Sequence, residues 1–135
     1  MKELSSLTPD EFGEALECGT GFLYSVEAAV WLLRQHAKWL SDPKIRSYVT
    51  GGIDEQGNLW AGLDVPKLGA AIDDGEFVGP GSVVSAEDIA VLRFALSFYG
   101  NSPVSLRYEG DNLSKQSIDL IGKALLMANG YSVED

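Results

Sequence analysis

The sequence predicts a small α+β domain: a mainly antiparallel sheet of about three strands packed against helices, in the order α-α-β-β-α-α-β-α. Three observations lead there. Helix starts and stops are written plainly in capping residues, prolines and glycines. Two short β-prone runs flank a Gly-Asn reversal in the middle of the chain. The 135 residues, 45% hydrophobic and 22% charged, suit one domain, 1–135, that buries a core without disulfides or a structural metal.

The first helix begins at "LTPDEF". Thr8 is the cap, Pro9 takes the first helical position, Glu11 closes a capping box, and Leu7 and Phe12 stand at staple spacing. A second helix runs through "AVWLLRQHAKWL" and stops before Pro43. "IRSYVTGGI" and "NLWAGL" then read as two strands joined at "DEQG", with the Gly51-Gly52 pair marking a bulge or a close backbone approach. "VPKLGAAIDDG" reads as one or two helical turns ending at Gly75, and "EFVGPGSVV" as a loop with a brief edge strand. Ser85 caps a helix that ends at Gly100; Glu87 and Asp88 sit at its positive end, and Val84 and Ile89 are spaced as a staple. "VSLRY" alternates Val104, Leu106 and Tyr108 with polar residues and reads as a half-buried strand. A last helix starts at Ser114 and stops at Gly130.

The second helix holds the one histidine of the chain. Leu23, Val26, Val30, Leu33, Ala37 and Leu40 form an apolar stripe at helical spacing, with His36 at its margin. Two readings stand side by side. In the first, the helix is buried nearly all round and His36 is a boundary residue hydrogen-bonded to a carbonyl or carboxylate. In the second, Tyr24 and Trp31, beside Arg34 and Lys38, form a partly exposed patch of interface type. Tyr24, Trp31, His36, Trp39 and Trp60 are accordingly the candidate aromatic patch or pocket.

Several chemistries find no support. One histidine and one cysteine do not make a zinc site, and "IDDGEF" and "IDEQGNL" lack the spacing of a calcium loop. Neither "TGGIDEQG" nor "VGPGS" is a phosphate-binding loop. Cys18 and His36 would form a nucleophile–base pair only if folding joined them. No residue is assigned a catalytic or metal-binding role, and no cofactor is expected. The N-terminal residues lack an apolar signal core, no uncharged run approaches the roughly 18 residues of a membrane span, and a lone cysteine suits a reducing cytoplasm.

The charge is the most informative bulk property. The net value of −10 disfavours nucleic acid and anionic membranes and favours basic surfaces. Residues 53–92 hold eight acids against Lys67, and most of them fall in turns or at helix starts. Asp54, Glu55, Asp73, Asp74 and Glu76 are therefore the expected partner-binding acidic face. The expectation is a non-enzymatic, cytoplasmic, acidic interaction domain that binds a basic protein partner, in the manner of an immunity-type inhibitor or an accessory-gene antagonist. The alternative is a small-ligand-binding or oligomeric domain with a pocket between sheet and helices; a third reading, an enzyme working through paired carboxylates, stays open because twenty acids offer many pairs.

Overall fold

The computed structural model describes residues 4–36, 38–79, 81–100 and 102–133. Helix α1 spans Pro9–Cys18 and α2 spans Tyr24–His36; strands β1, Val49–Ile53, and β2, Leu59–Leu63, follow. Then come α3, Val65–Asp73; α4, Ala86–Gly100; α5, Leu106–Gly110; and α6, Lys115–Ala128. Short 3-10 turns at Leu4–Ser6, Trp39–Ser41 and Pro43–Tyr48 complete the set. The result is a small α+β fold dominated by helices.

The expected caps form. Thr8 Oγ1 accepts from Glu11 N–H at 3.1 Å while Glu11 Oε1 accepts from Thr8 N–H at 3.0 Å. At α4 the same reciprocity links Ser85 and Asp88, at 2.9 and 3.0 Å. Ser114 caps α6 by accepting from Ser117 N–H at 3.2 Å. Each such cap satisfies amide groups that the first turn leaves without partners, and contributes about 1 kcal/mol.

Helix α2 lies at the centre, packed chiefly on α4 and α6. His36 at its end meets Asp88 at the start of α4, and Tyr24 at its start meets Gly130 beyond the end of α6. Both neighbours therefore run antiparallel to it. Val30, Leu32 and Leu33 of α2 and Val91, Leu92 and Leu96 of α4 are all buried in one core cluster. On α6, Ser117, Leu120, Ile121, Ala124, Met127 and Ala128 recur at the 3-4 spacing of one face, and this face turns inward.

The two strands pair antiparallel from Val49↔Leu63 to Ile53↔Leu59. Asp54 builds the turn: its Oδ1 accepts from Gln56 N–H at 3.0 Å and from Asn58 N–H at 2.8 Å, and Gly57 takes the left-handed conformation at φ 84°. Helix α1 lies along β2. The approach is so close that a Cβ on Gly19 would collide with the Ala61 carbonyl.

Four expectations need correction. "VSLRY" is not a third strand; among the described residues the sheet has two. Ser105 caps instead, accepting from Tyr108 N–H at 3.2 Å, and Leu106 and Tyr108 are exposed on α5. The first strand starts at Val49 and not at Ile45, because Pro43 opens a 3-10 turn with Asp42 as its cap, and Ile45 is buried within it. The second helix stops at His36, so Leu40 and Trp39 reach the core from a separate turn, and Leu23 stands exposed; Ala37 lies outside the described residues. The segment 76–84 contributes no edge strand among its described residues, Pro80 lying outside them.

Candidate functional site

The five aromatic and histidine candidates do not gather in one pocket. Trp39 is fully buried; its Nε1–H donates to the Asp88 carbonyl at 2.8 Å and its ring meets Phe77 edge-on at 5.2 Å. His36 Nε2 lies 2.8 Å from Asp88 Oδ1, and both side chains are largely shielded from solvent. Burial pushes the Asp88 carboxyl upward, yet hydrogen bonds from Ser85 and His36 outweigh it and hold the group below the usual aspartate value. Trp31 is half-buried beside Arg34, whose guanidinium crosses Gly13 to reach Glu17 at 2.6 Å and Asp10 at 2.8 Å. The bond to Glu17 leads in raising the Arg34 pKa. Trp60 is half-buried on β2 against Gly52, and Tyr24 is 62% exposed at the start of α2.

The acidic candidates divide as well. Asp54 and Glu55 sit at the turn of the hairpin. Asp73 ends α3, and Asp74 and Glu76 follow it; Glu76 lies near Tyr48 at the opposite end of β1, its Oε2 accepting from Tyr48 O–H at 3.0 Å. Six strand positions at about 3.3 Å each separate the two groups by roughly 20 Å. Asp73 is also engaged, pairing with Arg93 at 3.0 Å, while Arg93 Nε lies 3.3 Å from Glu109. The hydrogen bond to Glu76 raises the Tyr48 pKa, and the nearby carboxylates act in the same direction.

Two surfaces emerge that were not picked out from the sequence. One is an open groove of about 390 Å³ between α1 and the turn end of the hairpin. Leu7, Ala15, Ile53 and Leu59 give it apolar walls, and Glu11, Glu14, Cys18 and Asn58 line it with polar groups. Cys18 is exposed there, whereas His36 belongs to the α2–α4 seam, so the two do not share this groove. The second surface is the pole where α2 starts and α6 finishes. There Phe22 is 93% exposed and has φ 62°, the one positive value at a non-glycine among the described residues. That conformation costs an L-residue about 1–2 kcal/mol. Its signal in the sequence is an absence of charge: residues 18–26 and 124–133 contain no Asp, Glu, Lys or Arg.

Among the described residues, no group of three or more His, Cys, Asp or Glu is placed to hold a metal, and no helix is long and apolar enough to cross a membrane. Compared with known proteins, the chain matches no family model, no curated protein and no solved structure. What the surfaces do must be read from their own chemistry.

Proposed function

We propose that the protein is an interaction domain that holds a basic, partly apolar segment of a partner protein in the groove between α1 and the hairpin. The observation that carries this reading is the lining of the groove: apolar walls edged by Glu11 and Glu14, with no basic side chain among the lining residues. Glu55 is exposed on the adjoining hairpin turn and adds to the negative charge at that end of the molecule. In a chain of net charge −10 such a groove draws in cations by long-range attraction and retains them by apolar contact. An immunity-type inhibitor or antagonist, which must cover a basic surface on its target, is the finer form of the same reading.

Cys18, the single cysteine, reports on the groove directly. The probe is an amphipathic peptide of alternating lysine and leucine, and the measurement is the rate at which a thiol reagent modifies Cys18. Protection that fades with added salt, and that is lost in the Glu14→Lys, Glu55→Lys double variant, supports the reading. Equal modification rates with and without peptide at low salt overturn it.

A further inference from the structure

The uncharged runs 18–26 and 124–133 come together where α2 starts and α6 ends, through Tyr24 and Gly130. Tyr24 packs on Gly130 and shares a shallow groove of about 220 Å³ with Met127 and Tyr131. Tyr131 N–H donates to the Leu126 carbonyl at 3.0 Å, and Gly130 N–H to that of Met127. This terminal motif seats the residue after the glycine on the last helical turn. Leu23, Tyr24, Leu126 and Tyr131 are all exposed around the projecting Phe22. With the neighbouring Leu125, these side chains present on the order of 700 Å² of surface, counting aromatic side chains at roughly 200 Å² each.

We propose that this pole is the contact face of a homodimer, its occupant being a second copy of the chain. The area matches the roughly 800 Å² that each partner brings to a stable interface. The pole also carries both halves of a self-complementary contact. Phe22, two residues before Tyr24 and almost fully exposed, offers a knob, and the groove lined by Tyr24, Met127 and Tyr131 offers a socket. A two-fold axis lets each knob enter the other copy's socket, as an isologous interface requires. Charge selects the same occupant. Neither run carries a charged side chain and Glu27 is the single charged residue lining the groove, so a basic partner finds little counter-charge here, whereas a second copy brings few like charges together. The remaining acids of two copies repel, but charges farther apart than about 8 Å are largely screened at physiological ionic strength.

The proposal goes beyond the groove reading and is tested separately, by sedimentation of the full chain over a range of concentration and salt. The wild type should form dimers that tighten with added salt, opposite in sign to the binding of a basic peptide. Phe22→Asp and Tyr131→Asp, each at an exposed position, should weaken self-association at least roughly tenfold. Ile118→Asp, on α6 but two turns from the pole, should leave it unchanged. A wild type that stays monomeric at every concentration overturns the proposal. So does a dimer that survives both pole substitutions or that Ile118→Asp dissociates equally well. Peptide protection of Cys18 in the pole variants keeps failure of this interface distinct from failure of the groove.

Discussion

His36 Nε2 lies 2.8 Å from Asp88 Oδ1 across the seam between the end of α2 and the start of α4. The two residues are 52 positions apart, and the same carboxylate receives the Ser85 amide on its other oxygen. Asp88 thus serves as both helix cap and interhelical tie. Removing either partner should destabilise the fold: His36→Ala by about 1–3 kcal/mol, and Asp88→Ala by slightly more because the cap is lost too. Denaturant melts of both single variants and the double variant check this. A coupling energy under about 0.5 kcal/mol would mean that the two act independently.

The tie also sets a direction for acid sensitivity. The Asp88 carboxyl is held below its usual value, against a reference near 3.9 in the unfolded chain. Its contribution is therefore complete above about pH 4 and is lost as pH falls through the lower folded value. Melts repeated between neutral pH and about pH 3 should show wild type losing more stability than Asp88→Asn. Parallel curves would refute the assignment.

Leu92 and Leu96 are buried on α4, which packs chiefly on α2. Truncating either to alanine leaves a cavity in a close-packed layer and should cost about 2–5 kcal/mol. Losses under about 1 kcal/mol in equilibrium unfolding would place α4 at the periphery instead.

Phe22→Gly should leave the monomer as stable as wild type or improve it by up to about 1 kcal/mol, since glycine occupies the left-handed region without strain. Thermal melts at low protein concentration, where self-association does not enter, make the comparison. A clear loss of stability would show that the ring supports the fold.

Neutralising Asp73, Asp74 and Glu76 together should cost about 1 kcal/mol or less, because exposed ion pairs contribute little and Arg93 retains Glu109. The same triple variant should slow peptide capture less than Glu14→Lys with Glu55→Lys, because Glu14 lines the groove and Glu55 stands on the hairpin turn that adjoins it. Stopped-flow association rates at low salt rank the two.

Local chemistry made most of the fold legible. Thr8, Ser85 and Ser114 announce their helices because capping is decided within four residues, and Asp54 and Gly57 announce the hairpin turn for the same reason. "VSLRY" misled because alternation is not enough without a neighbouring strand; Ser105 offered a cap, and the two-stranded sheet offered no third place. The end of α2 was equally hidden, since the apolar spacing continues through Trp39 and Leu40 across a break in the helix. The candidate surfaces were harder to see. Pairing of Asp73 with Arg93 and of Glu76 with Tyr48 depends on long-range packing, as does the meeting of α1 with the hairpin. Phe22 was overlooked because nothing in its neighbours announces a left-handed backbone.

The close approach of Gly19 to Ala61 has a consequence for how the molecule breathes. A lone two-stranded ribbon is marginal in water, so this hairpin persists chiefly through its seat on α1, with Leu63 N–H also donating to the Tyr99 hydroxyl at 3.1 Å. Release of α1 frees the ribbon and dismantles the groove in one event. The amides of Phe12–Leu16 and of Leu59–Leu63 should then exchange with deuterium at a common rate, ahead of those in α2 and α4. A partner lodged between them would slow both segments together, acting as a clasp on the least secure part of the chain.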